Sequence, residues 1–184
     1  MSELFLVRHG ESKANVSCTV VCTLEEGVQP RWGLTTRGEQ QALAAGDELL
    51  RRIHSSHNAS ELIIVSSPFS RAKQTALAIQ RRTGAATPIT EDSRVVERFF
   101  GSQFELKNAS DVYYRMLEGD TKSLLDSPIE GAEAAVDVAS RVSAAMADAT
   151  NSANGRSVVI VSHGCFPHVC HDDSVCLEVS REPK

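Results

Sequence analysis

Three runs of four consecutive apolar residues frame this chain: 4–7 (LFLV), 62–65 (LIIV) and 158–161 (VVIV). Each is too short for a helix and reads as a short buried strand. Each also stops abruptly in polar sequence: Arg8-His9-Gly10, then SSPFSR over 66–71, then Ser162-His163-Gly164. Helical patterns lie between the runs. Alternation of strands and helices predicts a three-layer α/β/α sandwich with a largely parallel central sheet. In such sheets ligands gather beyond the carboxyl ends of the strands, where all three polar sequences fall.

The helical segments follow from spacing. Thr36 and Glu39 stand at capping-box distance and open a helix to about His54, with Leu43, Leu50 and Ile53 as its buried stripe. Pro68 suits a first helical turn, and Ala72, Ala76 and Ile79 give the helix after it one apolar face. From Gly131 to about Ala149 an alanine-rich helix carries Val138, Val142 and Met146 on one side. Residues 16–33 hold no sustained period and read as a loop, and residues 98–128 form an irregular middle with one short helix near 111–117. No repeat or linker divides the chain, so residues 1–184 are expected to form a single domain with a variable lid at about 98–128.

Composition excludes several classes. A formal net charge of -5 argues against a general nucleic-acid binder, because phosphate-backbone affinity needs a basic surface. No apolar run approaches membrane-spanning length, so no membrane partner is expected. Cleavage of a leader would destroy the strand that begins at Leu4. The five cysteines are odd in number and fall in two loose groups, the pattern of free thiols in a reducing compartment; a cytoplasmic location is the expectation.

A histidine presented at a strand's end beside an arginine has the geometry for attack on a phosphate. Gly10 is expected to let the chain turn sharply and a ligand approach closely. Arg8 and Arg71 each offer a planar fork of donors that matches phosphate oxygens. A nucleophilic His9 would need one ring nitrogen unprotonated, and the other donating to a fixed acceptor such as a backbone carbonyl.

These residues, in order, resemble the histidine phosphatase superfamily in its phosphoglycerate mutase-like group. The matching positions are Arg8 to Ser12 with Asn15, LTTRGEQQA from Leu34, SSPFSRAKQTA from Ser66, Glu97, Glu133, and Ser162 to Gly164. The resemblance implies that His9 is the nucleophile, that Arg8, Arg71 and His163 hold the phosphoryl group, and that Glu97 donates the proton. Ser12 and Asn15 are candidate hydrogen-bond donors near the phosphate, Glu105 is a substitute for the acid, and Glu133 is expected to interact with the amino terminus of the late helix rather than with substrate. The implied reaction is hydrolysis of phosphomonoesters through a covalent phosphohistidine, with no metal and no other cofactor. The substrate would be a small phosphorylated metabolite or a phosphoprotein, and a homodimer is left open. Mutase-type phosphoryl transfer is the alternative. A mutase calls for a cationic lid, and here Arg98, Lys107, Arg115 and Lys122 are offset by Glu105, Asp111, Glu118 and Asp120.

The tail departs from the family pattern. Only CFPHVCHDD separates Gly164 from a strand expected at 174–179, so the segment 165–184 is abbreviated. Its Cys165, His168, Cys170, His171, Asp172 and Cys176 raise a reading of another class, a metal-binding or non-catalytic interaction module, although their spacing matches no paired-knuckle pattern. Near the first motif, Cys18 and Cys22 are candidates for oxidation sensitivity, with buried inert thiols as the alternative.

Overall fold

Successive side chains of a strand point to opposite faces of its sheet, and this alternation organises the core. A computed structural model describes residues 3–53, 59–164 and the backbone of 175–177. Within them, β1 (Leu4–Arg8), β2 (Ile63–Ser66), β3 (Thr90–Glu91), β4 (Val158–Ser162) and β5 (Val175–Leu177) form one sheet in the order β3-β2-β4-β1-β5. Every neighbouring pair is parallel. Phe5, Val7, Ile64, Val159 and Val161 pack on one face against α3 (Thr36–Ile53) and α4 (Ser70–Thr83). Leu6, Val65, Val158 and Ile160 pack on the other against Val138, Val142, Ala145 and Ala149 of α6 (Ala135–Ser152). The expected α/β/α sandwich is present, and the three apolar runs are its central strands because both of their faces are covered.

The pairing register sets up the site. Arg8 lies opposite Ser162, and Ser66 opposite Val161, so β1, β2 and β4 end level with one another. The ladder runs on for one residue: His9 N donates to Ser162 O at 2.9 Å, and Ser67 N to Val161 O at 2.9 Å. His9, Ser67 and His163 are thereby delivered to one edge of the sheet.

Several local expectations are corrected. On α3 the buried positions are Gly38, Ala42, Ala45, Gly46, Leu49 and Ile53; Leu43 is exposed and Leu50 only partly buried. The helix lies along α4, where small residues allow close approach and a leucine would hold the axes apart. Its cap is Thr35 rather than Thr36. Thr35 Oγ1 accepts from Gly38 N at 3.0 Å and donates to Glu11 Oε1 at 2.7 Å. Pro68 precedes the cap residue Phe69 and so lies just outside α4. Residues 16–33 contain α2 (Leu24–Gly27) and a single 3₁₀ turn at Pro30–Trp32, preceded by α1 (Lys13–Val16). The short helix of the middle segment is α5 (Ala109–Asp120).

The loop and the middle segment form one unit. Val20, Cys22, Phe100, Ala109, Val112, Met116 and Ile129 make a third buried cluster. Val20 N donates to Lys107 O, and Leu106 N to Val20 O, both at 2.9 Å. The Glu105 carboxylate accepts from Cys22 N, Cys22 Sγ, Thr23 N and Thr23 Oγ1. Glu105 is therefore a latch between the two segments and not a substitute acid. Burial and the neighbouring Glu105 carboxylate push the Cys22 thiol far up, which makes it an inert buried thiol; Cys18 is exposed.

Candidate active site

Five residues meet where β1, β2 and β4 end: Arg8, His9, Arg71, Glu97 and His163. His9, Arg71, Glu97 and His163 are each less than one-tenth exposed, so water screens their interactions weakly. His9 Nδ1 lies 2.7 Å from Gly10 O, a contact only a protonated nitrogen can make. Nε2 is then the unprotonated nitrogen, and it accepts from Arg71 Nε at 3.0 Å. Burial, with the Arg71 charge next, drives the imidazole well below its ordinary pKa. His9 is held neutral, in the tautomer a nucleophile at Nε2 requires.

Arg71 stands in the first turn of α4. Nε contacts His9, and a second nitrogen donates to Val21 O at 3.2 Å. The guanidinium lies 5.0 Å from the centroid of the Phe69 ring and 3.7 Å from Glu97 Oε2. Its remaining nitrogen, Nη1, is buried with no hydrogen-bond partner among the described residues.

His163 shows the same incompleteness. Nε2 lies 2.8 Å from Ser67 Oγ, and Nδ1 is buried without a hydrogen-bond partner, 3.9 Å from Glu97 Oε2. The geometry is satisfied when Ser67 donates to Nε2 and Nδ1 carries the proton facing the carboxylate. Burial and Arg71 hold this ring well below its ordinary pKa as well, so the unliganded site keeps it neutral. Its ring sits edge-on to both His9 and Phe69, each centroid 5.1 Å away. A buried orphan donor costs about 1–3 kcal/mol, which an anion bound between these groups would return.

Glu97 follows a 3₁₀ turn at Ser93–Val95, which is tied to β4 by Ser162 Oγ donating to Val95 O at 2.7 Å. Glu97 Oε1 accepts from Arg98 N at 3.1 Å, leaving Oε2 turned toward Arg71 and His163. Arg8 is partly buried with its guanidinium against the backbone of Gly164. Asn15 is exposed, and its Oδ1 accepts from Ser12 N and Oγ in the cap of α1, on which the Ser12 hydroxyl is spent.

Two expectations change. A Cβ on Gly10 would lie 2.3 Å from Gly38 O, so this glycine makes room for the backbone of α3 rather than for a ligand. Glu133 does not cap α6; Asp137 accepts from Ala134 N there, while Glu133 pairs with Arg141. Ser67 and Phe69, within the SSPFSR motif, gain a role from the structure through their contacts with His163 and Arg71. Among the described residues no group of three metal-ligating side chains gathers, and the Cys/His cluster of 165–176 lies outside them. No helix there is long and apolar enough to cross a membrane.

A parallel α/β sandwich with two histidines and two arginines around one buried point defines a phosphoryl-handling class of protein. Residues 4–180 match the model of the histidine phosphatase superfamily, branch 1, and the chain belongs to that family. It is 34% identical over 169 residues to a probable phosphoglycerate mutase, GpmB, of Salmonella paratyphi C, across 89% of this chain and 70% of that protein. Among solved structures it is similar to a mycobacterial hydrolase, with a TM-score of 0.69, 26% identity, and coverage of 92% of this chain and 76% of that one. It is also similar to mycobacterial glucosyl-3-phosphoglycerate phosphatase in complex with VO3, with a TM-score of 0.65, 26% identity, and coverage of 92% and 78%.

Proposed function

We propose that this protein is a phosphatase that hydrolyses phosphomonoesters through a phosphohistidine at His9. The observation that carries the reading is the pair of buried orphan nitrogens, Arg71 Nη1 and His163 Nδ1, beside the unprotonated Nε2 of His9. A phosphoryl group spreads charge over three equatorial oxygens, and catalysis is chiefly its positioning and stabilisation. Arg8, Arg71 and His163 would hold those oxygens. His9 Nε2 attacks phosphorus, the bond to the ester oxygen breaks, and Glu97, in its carboxylic acid form, gives that oxygen its proton and is left as the carboxylate. Water then gives a proton back to Glu97 and attacks phosphorus, releasing inorganic phosphate and neutral His9. The positive charge comes from the side chains themselves, so the scheme routes no step through a metal.

Hydrolysis is favoured over mutase transfer by the lid. Arg98 is bound to Asp120 at 2.6 Å, Lys122 to Glu118 at 2.8 Å, and Arg115 sits over the Phe104 ring. These cations are already engaged, which leaves a weak trap for a second anionic group. A similar structure is that of a phosphatase in complex with VO3, an oxyanion, which supports a site for an oxyanion in this chain. Small phosphorylated metabolites and phosphoproteins are the substrate classes, acted on in the cytoplasm. The test is incubation with 3-phosphoglycerate and a panel of sugar phosphates and phosphopeptides, in the presence of a chelator. Release of inorganic phosphate is expected; conversion of 3-phosphoglycerate to its 2-isomer without release would make the protein a mutase, and loss of activity to the chelator would overturn metal independence.

A further inference from the structure

Glu97 lies in a segment with no regular hydrogen-bond ladder, yet its carboxylate must meet a leaving oxygen. Something outside the segment must fix it. The peptide between Glu97 and Arg98 is held at both ends: its N–H donates to Glu97 Oε1 at 3.1 Å, and its carbonyl accepts from Arg141 Nη2 at 3.3 Å. Arg141 Nη1 also donates to Arg94 O at 2.7 Å and to Val96 O at 2.9 Å. One guanidinium on α6 thus gathers three carbonyls of the strip that carries the carboxylate.

Glu133 completes the frame from the opposite direction. Its carboxylate takes Arg141 Nε at 2.8 Å and Nη2 at 2.9 Å, and Oε2 also accepts from Phe99 N at 2.8 Å. Glu133 N in turn donates to Phe99 O at 2.9 Å. The backbone on both sides of Glu97 is therefore tied to a single bidentate ion pair whose side chains are about one-fifth exposed, 17% and 24%. Rotation of the peptide between Glu97 and Arg98 would carry Oε1 with it and turn Oε2 away from Arg71 and His163.

We infer that Arg141 and Glu133 are positioning residues for the Glu97 carboxylate, acting through the peptide that orients it. This rests on the reading of Glu97 as the proton donor. An aimed acid matters most where the leaving group is poor. An alkoxide needs protonation of the bridging oxygen, whereas a nitrophenolate departs without it. The pair should therefore matter for alkyl phosphates and hardly at all for aryl phosphates, a split that simple loss of structure does not produce.

The experiment compares single-turnover phosphorylation rates of Arg141→Gln, Glu133→Gln and Glu97→Gln on β-glycerophosphate and on p-nitrophenyl phosphate. General acid catalysis contributes ~10²–10⁴-fold, so Arg141→Gln should lose ~10-fold or more on the alkyl substrate and less than ~3-fold on the aryl one. Placed in the Glu97→Gln background, Arg141→Gln should cost nothing further on the alkyl substrate, because the acid it aims is gone. Arg141→Lys keeps the charge without the fork and should give a smaller loss with the same split; it decides the matter should Arg141→Gln not fold. If Glu97→Gln shows the split and the Arg141 variants lose equally on both substrates, or on neither, the positioning role is wrong and the acid assignment stands. If Glu97→Gln itself shows no split, both fall together.

Discussion

Arg71 divides three tasks among its nitrogens: one fixes the lone pair of His9, one holds the carbonyl of Val21, and one is left for an anion. A lysine supplies a point charge and cannot reach all three. Arg71→Lys is expected to fold and to lose turnover by ~10²–10³, the scale seen when a single charge-stabilising donor is removed. Steady-state rates on p-nitrophenyl phosphate, with a thermal melt as control, measure this; a loss below tenfold would move the anion away from Arg71. At this scale the sequence was informative wherever chemistry was local. Arg8, His9 and His163 stand at the ends of the first and last of the three apolar runs, and Arg71 follows the second. Arg141 was not legible, because its contacts run to carbonyls 44 to 47 residues away and carry no side-chain signature.

Between elements, backbone approach decides what the motif glycines do. The loop after β1 and the first turn of α3 touch backbone to backbone: a Cβ on Gly10 would meet Gly38 O at 2.3 Å, and one on Gly38 would meet Glu11 O at 2.0 Å. Thr35 N and Oγ1 bind Glu11 in the same contact. Gly10→Ala should therefore destabilise by ~1–3 kcal/mol through overpacking and shift His9 with it. Urea unfolding reads the first effect; an unchanged midpoint would mean that the gap can open freely. The strands and long helices were legible from apolar period alone. The buried stripe of α3 was not, since a helix against another helix selects alanine and glycine, which hydrophobicity undervalues. The cap at Thr35 was hidden because Thr36 beside it is an equally good capping residue, and the bond that ties Thr35 to the loop after β1 runs to Glu11, 24 residues away. The two segments 16–33 and 98–128 showed no period because their apolar residues pack against one another and not against the sheet.

Across the whole molecule, the two buried histidines link stability to pH. His9 and His163 both have folded pKa values well below the ordinary 6.5, chiefly from burial. Below that pH the unfolded chain binds protons that the native chain refuses, so stability should fall as pH drops through about 6.5 and be flat above it on their account. The slope is roughly 1.4 kcal/mol per pH unit for each ring until its folded pKa is reached. Inorganic phosphate should flatten the dependence, since a bound anion favours the charged form of His163. Urea midpoints at several pH values, with and without phosphate, check this; a midpoint insensitive to acid would mean that neither ring is held neutral. The central claim concerns the molecule's covalent state during turnover. Protein quenched in base within one turnover should gain the mass of a single phosphoryl group, carried on His9, stable in base and lost in acid. Under the same quench, His9→Ala should gain nothing. Phosphoryl mass on another residue, equal labelling of His9→Ala, or rapid turnover with no labelled species would contradict the account.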